Sequence, residues 1–403
     1  MQHSFTPLSY SLVMTIILSI LSIKADAADF TEGNLKYTIL QNYDPHRPEN
    51  IVELTDGSQY TENDLTVPMT VEHNGKEYCV FSIGYRAFMF NTKLETIVLS
   101  EGIEEIGAEA FEGCSSLVFV KLPESLKIIG RSAFKGCWNI KDIILPNELK
   151  NINWGAFSGC SSIKYLSFPK QMNEVFTYEL LANCFSLEEV VFPSDCYDSF
   201  VGDGPDVYRV AQYSWTFRNT FINCFRLRTI TIGRDRYQHS PSLRFDNAFE
   251  GCDRLETLRL EGWNTIRFSE SIDNLKSIEF LNSEDRSDDG EQRFNLLLDG
   301  CPSLEKIILS SEIPPTCEVL VCTEEQFQNV MVIVPDGAVE AYAQADGWSH
   351  FHTILSASDP TFVKTAKVME RGDDAHYYDL NGVRTDQPKK GVYIQNGKKI
   401  VVK

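Results

Sequence analysis

Apolar and polar positions recur along the chain with a fixed spacing after residue 80. Three successive segments, which begin at Ile106, Ile129 and Ile152, are each 23 residues long and carry Ala-Phe, Gly-Cys and an apolar-x-x-apolar-x-apolar run at the same positions. Looser copies surround this core, with anchor residues Ile83, Cys184, Cys224, Cys252, Ile278 and Cys301. The alternation within each run predicts one strand per copy. A period in the twenties with such a run is the signature of a leucine-rich repeat solenoid, whose units are stable only when stacked.

The complete motif of one copy reads Ile-Gly-x-x-Ala-Phe-x-Gly-Cys-x-x-Leu-x-x-Ile-x-Leu-Pro, and it is met almost fully from Ile106 and again from Ile129. Over residues 81–355 the chain resembles the BspA-type leucine-rich repeats of bacterial surface proteins. This resemblance implies an α+β repeat fold, a leucine-rich repeat solenoid with repeats of about 23 residues and a parallel concave β-sheet. It also implies an adhesive cell-surface protein of Bacteroidetes-like bacteria.

The segments around the repeats complete a four-part organisation. Residues 1–27 combine an apolar run with Ala25-Asp26-Ala27, which predicts a signal peptide cleaved after Ala27 and an exported mature chain. Residues 28–80 are expected to form an N-terminal β cap with a hairpin at Asn74-Gly75. Residues 81–355 are expected to form the solenoid, closed by a helix over residues 338–345. Residues 356–403 are predicted to be a linker and a small β tail, which resembles sorting or attachment segments of exported proteins; a plain β appendage is the alternative.

The charge balance narrows the choice of partners. The chain has 37 Lys and Arg against 57 Asp and Glu, a formal net charge of -20. Such a chain is poorly suited to bind nucleic acid or an anionic membrane, because contacts with phosphates need Lys or Arg. No stretch reaches the ~18 apolar residues of a membrane-spanning helix, so no transmembrane segment is predicted. We therefore expect a secreted or surface-associated protein with a protein or glycan partner.

Eleven cysteines would suggest a disulfide framework in an exported chain, but most of them share one position of the repeat. These seven are Cys114, Cys137, Cys160, Cys184, Cys224, Cys252 and Cys301. A position that recurs once per unit faces inward, so we predict buried, reduced thiols. Cys79, Cys196, Cys317 and Cys322 lie elsewhere, and a Cys317–Cys322 bridge remains open as an alternative to unpaired burial.

Motifs of enzymes and metal sites are missing from the sequence. The chain has no P-loop, no G-x-S-x-G, no H-E-x-x-H and no C-x-x-C. The pair His350-x-His352 beside Trp348 favours packing over metal binding. An insertion before Cys224 carries four aspartates without the spacing of a calcium loop, namely Asp195, Asp198, Asp203 and Asp206. We therefore expect no catalytic residues, no cofactor and no metal.

Ligand binding is expected at the outward positions of the strands, which stacking aligns into columns across the concave sheet. Exposed apolar side chains among mixed charges suit a protein ligand better than a polyanion. The candidate positions are Val118, Phe119, Lys121, Lys141, Asp142, Ile144, Lys164, Tyr165, Glu188, Val191, Arg228 and Arg259. For any one of them, an ordinary solvated sheet with charged columns that suppress aggregation is the alternative.

Two further segments are candidates for contacts. Arg371-Gly372-Asp373 resembles the RGD tripeptide of integrin ligands, although so short a motif also arises by chance. The insertion over residues 195–217 is rich in aromatic residues and is a candidate glycan contact. The sequence therefore favours a non-enzymatic surface protein that binds host matrix or bacterial proteins. A glycan-binding module and a structural surface component are the alternatives.

Overall fold

The chain folds as a solenoid of about 11 turns, with parallel sheets and very few helices. The computed structural model describes residues 28–41, 49–170, 172–193, 214–233, 242–262, 265–281, 293–359, 377–379, 384–385, 391–395 and 398–402. The predicted leucine-rich repeat architecture is confirmed. Five calls fall outside these residues: the signal peptide, the RGD tripeptide, Cys196, the four aspartates and most of the aromatic insertion.

The apolar-x-x-apolar-x-apolar runs form one face, which we call the front sheet. Its first three strands are Asp64–Val67, Thr96–Leu99 and Phe119–Lys121. A single bridge from Phe119 to Asp142 continues the alignment into the next repeat. Eight parallel strands follow: Tyr165–Ser167, Glu189–Val191, Thr229–Ile232, Thr257–Glu261, Ser277–Leu281, Lys306–Leu309, Met331–Val334 and Thr353–Ser356. Each repeat thus contributes its predicted strand or bridge to one face.

A second face, which we call the back sheet, is built from strands that the repeat pattern does not predict. Nine strands form its N-terminal part: Phe30–Glu32, Leu35–Leu40, Ile51–Asp56, Thr70–His73, Lys76–Ile83, Glu105–Ile106, Ile128–Ile129, Asn151–Ile152 and Glu174–Val175. Five form its C-terminal part: Ser214–Arg218, Ser242–Asp246, Thr265–Phe268, Arg293–Leu297 and Thr316–Val321. Side chains of the two faces meet in the core, where the rings of Phe280 and Phe294 lie 5.0 Å apart.

Turns connect the two faces on a third side in most of the described repeats, and the helix Glu324–Asn329 makes this connection before the strand Met331–Val334. Main-chain hydrogen bonds join these turns from one repeat to the next, as in Phe111 N–H to Ala133 O at 2.8 Å. The Ile-Gly pair of the motif allows this close stacking. A Cβ on Gly130 would lie 2.6 Å from the main-chain nitrogen of Ala108, closer than any side chain can approach.

Aromatic and cysteine side chains fill the core in regular stacks. The rings of Phe88, Phe111, Phe134 and Phe157 are stacked with centroid separations of 5.3, 5.3 and 5.8 Å. The seven cysteines of the shared position are buried and free, as predicted. Cys79, Cys317 and Cys322 are free as well, so the bridge considered between the last two is not formed.

Both ends of the solenoid carry added structure. His73 pairs with Lys76 across Asn74 and Gly75, both with positive φ, which confirms the predicted hairpin. Helices occur among the described residues near the C-terminal end, as Glu324–Asn329 and Val339–Gln344, with a 3-10 turn at Trp348–His350. None of the helices in the described part of the chain is long and apolar enough to span a membrane. Four strands of the tail form a separate antiparallel sheet: Tyr377–Asp379, Arg384–Thr385, Gly391–Gln395 and Lys398–Val402.

Candidate functional site

The outward residues of the front sheet stand in three aligned columns. In the middle column Phe119 pairs with Asp142, and Tyr165 pairs with Glu189. Main-chain hydrogen bonds order the first column, where the N–H of Glu188 donates to Lys164 O at 2.8 Å and that of Arg228 to Glu188 O at 2.9 Å. The third column contains, in order, the paired residues Ser167, Val191, Thr231, Arg259, Glu279 and Ile308. The candidate positions therefore share one surface.

The most exposed apolar residues of this surface lie in its N-terminal half. Ile144 exposes 55% of its area, and Val118 and Tyr165 are exposed as well. Phe119, Asp142 and Val191 are half-buried between neighbouring repeats. Partial burial of the Tyr165 side chain, and the charge of Glu189, raise its pKa above the ordinary value of 10.0, so the hydroxyl is neutral and can donate a hydrogen bond to a ligand. We use the name front patch for Val118, Lys121, Lys141, Ile144, Lys164 and Tyr165.

Charges are arranged differently in the two halves of the front sheet. Lys121, Lys141 and Lys164 are exposed, and no carboxylate of the described residues forms an ion pair with them. In the C-terminal half, Arg259 Nε lies 3.0 Å from Glu279 Oε2, and Lys276 and Glu256 are also paired. Cations of the front patch thus remain available to a ligand, whereas Arg259 already has a partner.

An exposed aromatic row borders the front sheet, and the sequence interpretation missed it. Trp138, Phe185 and Phe225 directly follow cysteines of the shared position and expose 57%, 43% and 46% of their areas. The rings of Phe185 and Phe225 stack at 5.4 Å. We call these three residues the aromatic edge. The signal was present in the sequence, because serine fills the same position in two of the three strict repeats, as Ser115 and Ser161.

A charged groove on the third side has a structural explanation. Glu109 accepts hydrogen bonds from Arg86 Nε at 2.6 Å and Arg131 Nη2 at 2.7 Å, and so links three repeats. Burial acts to raise the pKa of the Glu109 carboxyl, but the hydrogen bonds and charges of the two arginines hold it below 4.5. Trp154 and Tyr178 line the same groove. Because these charges form ion pairs with one another, we interpret the groove as a structural connection between repeats rather than as a ligand site.

The aromatic insertion and the histidine pair are the remaining candidate sites, and few of their contacts lie in the described part of the chain. Residues 195–213 of the aromatic insertion are outside the described part of the chain, and Trp215 lies in the strand Ser214–Arg218. The ring of His350 packs against Phe327 at 5.5 Å. In the residues described, no group of three or more His, Cys, Asp or Glu is placed to hold a metal ion.

Comparison with known proteins identifies the repeats. Residues 81–199 match the BspA type leucine rich repeat region in six copies. No curated protein matches the chain. A leucine rich repeat protein of T. pallidum is 21% identical, over 56% of this chain and 90% of that one, with a TM-score of 0.43. A leucine-rich repeat protein of Bacteroides ovatus is 23% identical, over 82% and 91%, with a TM-score of 0.44. A leucine rich cell surface protein of Faecalibacterium prausnitzii is 19% identical, over 84% and 98%, with a TM-score of 0.39.

Proposed function

We propose that this chain, whose residues 81–199 are BspA-type leucine-rich repeats, binds a protein ligand through the front patch. The observation that carries the proposal is the juxtaposition of exposed Ile144 and Tyr165 with Lys141 and Lys164, which have no ion-pair partner among the described residues. Protein interfaces combine an apolar or aromatic centre with a polar rim in this manner. The rigid stacked strands hold these side chains in place before the ligand arrives.

The wider biological setting is part of the proposal. The predicted signal peptide and the surface-protein character of the repeat family support an exported protein that acts at a bacterial surface. There the front patch would hold a host matrix protein or a protein of another bacterium. The proposed role of the front patch is binding, without a catalytic step.

Capture experiments with matched variants test the front patch. Residues 28–403, immobilised, are exposed to host and bacterial surface extracts, and captured proteins are identified by mass spectrometry. Two replacements introduce residues that adjacent repeats carry in the same columns, so the fold is expected to persist: Ile144→Ser, as at Ser167, and Tyr165→Glu, as at Glu189. We expect these variants to lose a captured protein that the control Ile313→Ser retains, since Ile313 is exposed far along the chain. Retention by all variants would refute the front patch as the site.

A glycan array with the same preparation tests the alternative ligand class. A protein-binding front patch predicts no specific glycan hit. A hit that Trp215→Ala abolishes, and that Ile144→Ser leaves intact, would instead assign binding to the aromatic insertion.

A further inference from the structure

Two arginines lie side by side on the outer face of the back sheet. Arg244 and Arg267 are register partners in the parallel strands Ser242–Asp246 and Thr265–Phe268. Both side chains are exposed, whereas Phe245, which follows Arg244 in its strand, is buried in the core. Neighbouring strands of a sheet lie roughly 4.8 Å apart, so the two side chains leave the same face of the sheet one strand spacing from each other.

The pair differs from the usual arrangement of charges on adjacent strands. In the same sheet Arg218 faces Asp246, and its Nη2 lies 3.7 Å from Asp246 Oδ2. Arg244 instead faces a second arginine, and neither member of the pair forms an ion pair with a carboxylate of the described residues. Like charges on adjacent strands repel each other. A bound anion would remove this repulsion, and the pair is therefore a candidate anion site.

The acidic residues of this part of the back sheet do not neutralise the pair. In the described part of the chain, four carboxylates lie in the five-stranded portion of the sheet or within two residues of the ends of its strands: Asp246, Glu270, Asp299 and Glu318. The first contacts Arg218, as above. Glu270 accepts the N–H of Phe249 at 2.8 Å, and Glu318 Oε2 lies 3.5 Å from Asn295 Nδ2. Asp299 is exposed in the turn after the strand Arg293–Leu297. None of the four forms an ion pair with either arginine, so both guanidinium groups stay available to a ligand.

The number of charges indicates the chemical class of the anion. A guanidinium group is a planar fork of donors that can bind two oxygens of one oxyanion. Two such groups carry two positive charges, and a phosphate monoester, with about −1.5 to −2 charges and three acceptor oxygens at pH 7, matches them. A carboxylate carries a single charge and would leave one guanidinium uncompensated. The pair therefore favours a phosphate monoester over an acidic side chain.

We propose that Arg244 and Arg267 together bind the phosphate monoester group of a ligand at the outer face of the back sheet. The front patch lies on the other face of the solenoid, so this site goes beyond the proposed function and does not depend on it. A phosphorylated sugar and a phosphorylated protein present the same group, and probes of both kinds separate the two sources.

The ³¹P NMR signals of inorganic phosphate, O-phosphoserine and glucose 6-phosphate, titrated with residues 28–403, test the site. We expect all three signals to broaden on binding. They should broaden less at pH 5 than at pH 8, because the phosphate group takes up a proton at about pH 6 whereas arginine stays charged.

Replacements of the two arginines should weaken this binding. Arg244→Thr introduces the residue that its register partner on the preceding strand carries, Thr216, so folding is expected to persist. This variant should bind the probes about tenfold more weakly or worse, because hydrogen bonds between charged groups are the strong ones. Arg267→Lys, which keeps the charge but loses the planar fork, should weaken binding less than Arg267→Gln.

A control for net charge decides between a site and general attraction. Arg226→Ser removes an exposed positive charge outside the back sheet and introduces the serine that the preceding repeat carries in the same position, Ser186. Its affinity for the probes should equal that of the natural chain. Equal weakening by Arg226→Ser and Arg244→Thr would overturn the site, as would the absence of broadening or binding that survives both Arg244→Thr and Arg267→Gln. Tighter binding of O-phosphoserine than of glucose 6-phosphate would support the site and assign the group to a protein, and the reverse order would support it and assign the group to a glycan.

Discussion

The thiol of Cys137 donates a hydrogen bond to the main-chain carbonyl oxygen of Phe111, in the preceding repeat, at 3.0 Å. Cys114 makes the same bond to Phe88 O at 3.0 Å, and Cys160 to Phe134 O at 3.2 Å. The cysteine of the motif therefore combines a small apolar volume with a weak donor aimed at the neighbouring turn. This dual role explains why the position is filled by cysteine rather than by alanine.

Removal of this thiol is predicted to destabilise the solenoid. Cys137→Ala should lower the free energy of unfolding by about 1 to 2 kcal/mol, because both packing volume and the hydrogen bond to Phe111 O are lost. Cys137→Ser retains a donor and should recover part of the loss. Urea denaturation followed by circular dichroism measures both. A serine variant no more stable than the alanine variant would show that the hydrogen bond contributes nothing.

The cysteines of the shared position are predicted to resist modification in the folded protein. Burial raises the pKa of Cys184 and Cys252 to about 12, so their reactive thiolate forms are scarce at pH 8. Ellman's reagent should leave all seven unlabelled in native protein, whereas half-buried Cys79 should react earlier. All eleven thiols should react in urea. Rapid native labelling of Cys184, mapped by mass spectrometry, would contradict this prediction.

The repeat period was sufficient to predict the strands of the front sheet, because the same positions are buried in every repeat. Short back-sheet strands, the aromatic edge and ion pairs between repeats could not be predicted, because the repeat motif does not specify them. Within the repeats, back-sheet strands such as Ile128–Ile129 are two residues long, too short to produce an alternating pattern, so they were not predicted, whereas a β cap over residues 28–80 was. Trp138 was not predicted because ligand contacts were expected at outward strand positions, and this residue lies in the turn before the bridge at Asp142. The link from Glu109 to two arginines joins repeats through side chains whose partners the motif does not specify.

Close stacking of the turns leads to a prediction for the motif glycine. Gly130→Ala places a Cβ 2.6 Å from both Ala108 N and the carbonyl carbon of Gly107, which are main-chain atoms that cannot yield separately. The loss should exceed about 3 kcal/mol, or folding should fail. Gly300→Ala is the matched control, because its nearest contact, Glu270 O, is at an ordinary 3.4 Å. Equal melting temperatures for the two variants would contradict the close approach.

Stability should fall with rising pH because of Glu53. Burial, and next the charge of Glu105, raise the pKa of Glu53 from 4.5 to about 7. The folded state therefore binds a proton more tightly than the unfolded state, and this stabilisation is complete below pH 4.5 and is lost as pH rises through 7. Glu53→Gln mimics the neutral acid. The free energy of unfolding of this variant, relative to that of the natural chain, should therefore increase by about 1 to 3 kcal/mol from pH 4.5 to pH 8. Urea denaturation at both pH values measures it, with exposed Glu72→Gln as control; a constant difference would contradict the assignment.

Closure of the C-terminal end depends on Trp348. This side chain is fully buried, its Nε1–H donates to Pro315 O at 2.8 Å, and its ring lies 5.6 Å from that of Tyr342. Trp348→Ala should lower the free energy of unfolding by about 3 to 5 kcal/mol, and Trp348→Phe, which loses mainly the hydrogen bond, by about 1 to 3 kcal/mol.

Because repeats stabilise their neighbours in sequence, amide exchange in Trp348→Ala should accelerate first in the adjoining strands Met331–Val334 and Thr353–Ser356. Exposed Trp138→Ala is the matched control and should change stability by less than about 0.5 kcal/mol. If Trp348→Ala proved as stable as Trp138→Ala, the end of the solenoid would have to be closed by other contacts.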